Sequence, residues 1–443
     1  MTEAGPVFRS FRAIRYANRS DLSNVIAPPY DIISDEVQAE LYHKEENNFV
    51  RIELAREDDR YAAAGDTLRR WLNTGVFMRE AEPALYLLEQ EFAVGNRGWR
   101  RRGVFGLVGL ADGRSTRVLS HEGTLPGPKM DRLNLIRACR AMTSPVMLMH
   151  EDGDGSLLQL LNGVKRDPDA TACSWDGTVN RLWVVDDSDF MGGISRAVGA
   201  GPFYIADGHH RFETAMAHRN EMRSIYPEAP SDAGFEYALA LVNSAQDDGL
   251  RIFPTHRLIS DLDEDALASL CDCMDEYFEV DEKPLRAVDI DSWLAGPPED
   301  KPVFRVYAGN SRLLQLVAKD TALPATDSVV GRLDVSVLHE RLIDPTLADA
   351  GCLPRADWGI SHDSQATGRV RRGPRLVYAT DWKEAIAAVD RGDYVFAFFV
   401  RPTAVGDVMA AARAGERMPG KSTYFYPKIP AGLVVSDASE ESI

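Results

Sequence analysis

Apolar positions recur at strand spacing and at helix spacing along the whole chain, and the two kinds of segment are interleaved. Residues 24–32 (NVIAPPYDI) read as a strand running into a Pro-Pro turn. Ser34 then sits where it would cap a helix bearing Asp35, Glu36 and a Leu41/Tyr42 face. Residues 61–74 read as a second amphipathic helix closed by Gly75, and residues 84–92 and 102–110 as strands flanking the turn-forming GNRGW. A loop punctuated by Gly123, Pro126, Gly127 and Pro128 leads into a helix over 130–139. A short strand at 182–185 precedes a helix over 187–198 that starts at an Asp-Ser-Asp cap. Residues 202–206 are a buried strand that ends in Asp-Gly-His-His and feeds a helix beginning near Arg211. From residue 247 the pattern restarts with strand-like RIFPTHRLI, an acidic helix (DEDALASLCDCMDEYF) and a hairpin of KPVFRVYA with RLLQLVA. The helix DVSVLHERL, the strand YVFAFFV and the helix AVGDVMAAARAG follow. This interleaving predicts an α/β or mixed α+β fold, with the sheet type open.

At 443 residues the chain has room for about two to three domains, and the pattern divides it into 1–115, 116–246 and 247–443. A hydrophobic content of 44% excludes a disordered or collagen-like chain. A net charge of −18 makes nonspecific binding to nucleic acid or membrane surfaces a poor expectation. No window approaches about 18 uninterrupted apolar residues, and the N-terminus lacks the apolar stretch of a signal peptide. A cytoplasmic protein is expected. The five scattered cysteines argue for reduced thiols, and Cys271-x-Cys273 lacks the spacing of a structural zinc pair.

The densest chemistry lies at 203–215 (FYIADGHHRFETA). A buried strand breaks at Gly208, where the missing Cβ lets the backbone approach a ligand. The helix that follows would aim its unpaired N–H groups and the positive end of its dipole at that point. Arg211 offers a bidentate grip on phosphate oxygens, and His209 and His210 supply donors or a titratable group. Asp207 offers a carboxylate to a metal ion or to a hydroxyl nucleophile. Against this stands a plain strand-to-helix turn whose histidines cap and pack.

A second cluster is Ser120-His121-Glu122-Gly123-Thr124, followed by Lys129, Asp131 and Arg132. It lies in a stretch, 96–140, that holds ten Lys/Arg against three acidic residues. Such a stretch would attract an anionic small molecule or phosphate tail, or it is a basic face paired with the acidic remainder of the molecule. The third cluster is 418–428 (MPGKSTYFYPK). Counted from Gly415, the P-loop spacing G-x-x-x-x-G-K-S-T is formally met. However, a helix precedes it and β-forming aromatics with Pro427 follow, where that motif needs strand, loop and helix. Lys421 and Lys428 read better as direct ligands for phosphate or carboxylate. Asp31, rigidly aimed after Pro28-Pro29-Tyr30, is a further carboxylate, while His256 (PTHRL) and His362-Asp363 (ISHDS) are weaker candidates.

On APPYDI, SHEGT with Lys129 and Asp131-Arg132, IADGHHRFETA, PTHRL and MPGKSTYFYPK, the chain is identified as a member of the bacterial DUF1015 family, whose name conveys no activity. The strand–DGHHR–helix also resembles the phosphate-binding element of the ParB/sulfiredoxin superfamily, especially its free serine kinases. That resemblance implies a ParB/sulfiredoxin-like core with N-terminal and C-terminal elaborations. It implies nucleotide phosphates held at Gly208 and Arg211, with Asp207, His209 and His210 assisting transfer. Thr124, Lys129, Arg132, Lys421, Ser422 and Lys428 would add nucleotide contacts, and Asp207 would hold Mg²⁺. The upstream base would be Glu122, flanked by His121, or Asp31. The implied activity is phosphoryl transfer between ATP or ADP, with CTP as an alternative, and a small hydroxylated metabolite, foremost free L-serine. Hydrolysis of phosphoserine at the same site and a non-catalytic ParB-like nucleotide switch stay open. The expected partners are a small substrate and its phosphate donor, with no membrane, nucleic acid disfavoured and the oligomeric state open.

Overall fold

The computed structural model describes residues 8–17, 20–95, 97–110, 118–124, 126–199, 201–296, 299–325, 327–349 and 375–441. The chain forms two compact units. The first comprises Met1–Ser120, Thr124–Arg251 and Phe425–Ile443; the second comprises His121–Gly123 and Ile252–Tyr424.

The strands of the first unit's sheet are β1 (Phe8–Arg9), β2 (Leu85–Val94), β3 (Arg97–Gly109), β4 (Val118–Leu119), β5 (Val146–His150), β6 (Ala170–Cys173), β7 (Val179–Val185), β8 (Phe203–Asp207) and β9 (Tyr237–Ser244). Among the described residues they form one mixed sheet in the order β4-β8-β5-β9-β3-β2-β7-β6, with β1 paired to β3. The pairs β4–β8 and β5–β9 are parallel and the other neighbours antiparallel. Every residue of β5 and β9 is buried, as expected of central strands covered on both faces.

The helices of this unit include α1 (Asp35–Lys44), α2 (Arg60–Thr74), α3 (Pro126–Cys139), α4 (Ser156–Gly163), α5 (Ser188–Val198) and α6 (His209–Ile225). Ser34 caps α1 through Val37 N–H at 3.3 Å, and Asp187 caps α5 through Phe190 N–H at 2.7 Å. The α4 and α5 helices bury Leu157, Leu161, Ile194 and Val198 against Leu87, Val104, Leu148 and Phe203 of the sheet. The strand expected over 24–32 does not form. Its residues make one bridge, Ala27 with Ala431, and a 3-10 turn at Tyr30–Ile32, because Pro28 and Pro29 have no N–H to give a ladder.

Residues 425–443 follow the second unit in sequence yet belong to the first. Val435 exchanges two 2.9 Å backbone hydrogen bonds with Ile14, and Ser436–Asp437 pairs with Ala141–Met142.

The second unit's sheet contains β10 (His256–Ser260), β11 (Phe278–Pro284), β12 (Val303–Tyr307), β13 (Arg312–Ala318), β14 (Arg375–Ala379) and β15 (Phe396–Phe399). It is antiparallel in the order β11-β13-β12-β15-β10-β14, and the expected hairpin is β12–β13. Alternation along the strands gives each face its own core. Ile259, Phe304, Leu316 and Phe398 face one way, and Leu258, Tyr307, Leu313 and Phe399 the other. The segment DVSVLHERL starts as α-helix at Asp334–Leu338 and widens into a π-helical turn at His339–Ile343.

The basic stretch 96–140 resolves largely into paired charges. Arg102 Nε donates to Glu89 at 2.7 Å, Arg137 Nη2 to Glu221 at 2.7 Å, and Arg132 Nη1 to Glu53 at 3.2 Å. Arg114 and Arg117 lie outside the described residues. No helix among the described residues is long and apolar enough to cross a membrane.

Glu53 is the most deeply buried of these acids, also accepting from Thr143 at 2.9 Å and Ser144 at 2.8 Å. Glu53→Ala would leave Arg132 to Asp131 and take the acceptor from the buried Thr143 and Ser144 hydroxyls, and is expected to cost about 3 kcal/mol in urea denaturation. A loss below about 1 kcal/mol would show that these groups find water instead.

Candidate functional site

The site grows from the break between β8 and α6. Gly208 has φ +92°, a left-handed conformation, and a Cβ there would lie 2.9 Å from Arg211 Nε. Gly208 caps α6 without a side chain, so the first-turn N–H groups of His209, His210 and Arg211 face outward with the positive end of the helix dipole. The helix starts two residues before the expected position, which puts both histidines in its first turn. His209 is buried and His210 half-buried.

Asp207 ends β8 with its carboxylate between two cations. Its Oδ2 accepts from Arg211 Nη2 at 3.0 Å, and its Oδ1 lies 3.3 Å from Lys428 Nζ. Burial alone would push this carboxyl up, but Lys428 and then Arg211 outweigh it and hold it well below the usual carboxylate range. Arg211 is itself buried and donates a second hydrogen bond to the Pro145 carbonyl.

Lys428 reaches Asp207 because the backbone of 426–428 is fastened to the sheet. Arg101, fully buried on β3, donates to the Pro427 carbonyl at 2.7 Å, to the Tyr426 carbonyl at 3.4 Å and to Gln90 Oε1. Gln90, opposite Arg101 on β2, donates to the Lys428 carbonyl at 3.2 Å and to Asn180 at 3.0 Å. Burial lowers the Arg101 guanidinium to about 10, with Asp247 and Asp207 opposing the shift. Sequence reading missed Arg101 and Gln90. Their signal was polar residues at paired positions inside otherwise apolar strands.

Tyr30 gathers three of the sequence candidates. The Arg132 guanidinium lies 4.0 Å from its ring centroid. Burial pushes the Tyr30 phenol up to about 12, with Asp31 adding to the shift and Arg132 and Arg211 opposing it. Arg132 is engaged by Glu53 and Asp131. Thr124 and Lys129 both meet Glu213 on α6, Lys129 at 3.0 Å.

The remaining candidates form a cluster within the second unit. Glu122 bridges to Met418, whose N–H donates to the His121 carbonyl at 2.8 Å. His121 Nε2 lies 3.4 Å from Thr423 Oγ1, and the Lys421 N–H donates to Glu122 Oε1 at 3.4 Å. The buried Ser422 hydroxyl donates to the Pro419 carbonyl. The P-loop order is absent: a helix (Val405–Ala414) ends at Gly415, and the strand Tyr424–Tyr426 follows. His256 packs edge-on against Phe399 and accepts from Val400 N–H, and burial lowers it to about 3, which makes it a neutral structural acceptor. His362 and Asp363 lie outside the described residues. A groove of about 1140 Å³ bordered by His150, Leu160, Phe190 and Arg196 touches none of the sequence candidates.

A mixed-sheet α/β unit with a charged strand-to-helix turn is the class that fold and site define. Residues 8–336 match the family described as "protein of unknown function (DUF1015)", and the chain belongs to that family. No curated protein matches the sequence. Among solved structures, a conserved hypothetical protein from Pyrococcus furiosus is similar at 14% identity and a TM-score of 0.36, covering 75% of this chain and 95% of that one. A free serine kinase in complex with AMP is similar at 13% identity and a TM-score of 0.37, covering 75% and 92%. SbnI with a C-terminal truncation, from Staphylococcus aureus, is similar at 10% identity and a TM-score of 0.33, covering 75% and 88%.

The depressed Asp207 carboxyl has a pH consequence. A group whose folded value lies below its ordinary 3.8 contributes stability that is fully present above that pH and fades as pH falls toward the folded value. The stability difference between wild type and Asp207→Asn should therefore be constant near neutrality and shrink below about pH 4. A difference independent of pH down to the acid transition would contradict the cationic clamp on Asp207.

Proposed function

We propose that this protein is a nucleotide-dependent phosphotransferase acting on a small hydroxylated metabolite, most readily free L-serine, on a ParB/sulfiredoxin-like core in the first unit. The observation that carries the reading is the Asp207 carboxylate set between Lys428 and Arg211 at the N-terminus of α6. Phosphoryl transfer asks a protein mainly for positioning and charge stabilisation. The α6 N–H groups and Lys428 supply positive potential for phosphate oxygens, and Arg211 steadies Asp207 while adding its own charge. His209 and His210 stand at the same turn as further donors.

Asp207 fits a Mg²⁺ ion held by one carboxylate and substrate phosphates. It is ionised, its side chain is 27% exposed, and each oxygen retains a lone pair beside its present partner. Bound there, Mg²⁺ would neutralise charge on the transferring phosphate. The hydroxyl proton is assigned to Glu122 or to Asp31, and Lys129, Thr124, Arg132, Lys421 and Ser422 to support of the nucleotide.

Phosphorus NMR of the full chain with serine, Mg²⁺ and ATP, ADP, CTP or pyrophosphate in turn tests this. New phosphoserine resonance is the expected result. Inorganic phosphate released from added phosphoserine would make the protein a hydrolase, and binding without turnover would make it a switch. Glu122→Gln or Asp31→Asn, whichever removes the base, should lower turnover by about 10²–10⁴-fold with nucleotide affinity nearly intact. If both variants remain fully active, neither carboxylate is the base.

A further inference from the structure

We propose that Lys421 is an anion-binding residue of the second unit, held in a strained backbone by Glu122 and Arg257, and that Arg257 is its positioning residue. The proposal rests on the phosphoryl-transfer reading, from which it takes the class of anion, and concerns residues of the second unit alone. Lys421 has φ +58°, the left-handed region that residues bearing a Cβ avoid. Non-glycine residues persist there when their surroundings over-determine them, and such positions gather at ligand sites.

Both sides of the Lys421 peptide are held. Its N–H donates to Glu122 Oε1 at 3.4 Å, and its carbonyl accepts from Arg257 Nη2 at 3.2 Å. Arg257 is fully buried on β10, where it also donates to the Thr255 carbonyl and, through Nε, to His339 Nε2 at 3.2 Å. A guanidinium can only donate, so His339 accepts at Nε2 and carries its proton on Nδ1, which lies 3.0 Å from Asp344 Oδ1. His339 opens the π-helical turn His339–Ile343, so the wide turn and Asp344 together brace the ring against Arg257.

A buried guanidinium held by neutral acceptors is a costly way to fill a core. What it provides here, and an apolar side chain would not, is one N–H donor on the Lys421 carbonyl from a guanidinium fixed by Thr255 and His339. The flanking Ser422 is fixed as well, its hydroxyl on Pro419 and its carbonyl accepting from Thr403 at 3.2 Å. The Pro419–Thr423 turn therefore holds the Lys421 backbone in one conformation, a fixed base from which its side chain can offer an ammonium to a phosphate oxygen.

The test uses the full chain with ADP and inorganic pyrophosphate as calorimetric probes. Asn tolerates the left-handed region but has no ammonium, so Lys421→Asn should keep or raise Tm, by about 1–3 °C, while weakening both probes about tenfold or more. Lys421→Arg should bind within about threefold of wild type. Arg257→Lys should also weaken binding, and combining it with Lys421→Asn should add little, because both act through one contact. If Arg257→Lys does not fold, His339→Leu, which removes the acceptor of Arg257, takes its place in the cycle. Wild-type binding by Lys421→Asn, or a Tm that falls together with binding, overturns the anion site. Additive losses overturn the positioning role of Arg257. A wild-type chain that binds neither probe overturns the phosphoryl-transfer reading, and the phosphate contact named here falls with it.

Discussion

A carboxylate drawn mostly out of water stays ionised only if cations replace the water, and Asp207 meets that condition with one cation on each oxygen. Arg211 comes from one turn along α6, a local contact that the Gly208 break allows. Lys428 comes from more than two hundred residues further on. The charge at the head of α6 thus depends on the chain's last segment being laid back across the first unit's sheet, and that segment is held both by hydrogen bonds and by the burial of Phe425, Ile429, Leu433, Val434 and Val435.

The row Asn180–Gln90–Arg101 explains how. Three polar side chains on neighbouring strands bond to one another and to the carbonyls of Tyr426, Pro427 and Lys428. Buried polar groups of this kind are costly unless they are satisfied, so the row admits few other registers for the segment above it. Arg101 is the clearest case: its guanidinium is buried, lowered by that burial, and spent on backbone oxygens. It serves the site without being aimed at a ligand.

The second unit applies the same device to a different end. Arg257, also fully buried, is spent on carbonyls and on a histidine acceptor. In each unit an arginine that composition counts as a cation works as a rigid multi-donor clamp on a loop carrying a lysine. Net charge or a basic stretch therefore says little about where this protein presents positive potential. Most of the described cations in 96–140 are taken by acids or carbonyls.

The sequence by itself determined the elements and the turn. Periodicity, the Ser34 and Asp187 caps and the breaks at Gly75 and Gly208 are local, because capping and left-handed glycines depend only on neighbouring residues. The pairing of Asp207 with Arg211 lies four residues apart and was within reach of the same reasoning. Pro28 and Pro29 misled it, since a strand's outline in apolar residues does not supply the missing N–H donors. Only the tertiary structure decided which distant groups meet. It returned residues 425–443 to the first unit, gave Lys428 to Asp207, and set Glu122 and His121 with Lys421 in the second unit. It also turned Arg101, Gln90, Glu53 and Arg257 from ordinary strand and helix residues into the buried scaffold of those sites. Their role is invisible in sequence because it rests on desolvation, and how far a polar group is removed from water is set by everything packed around it.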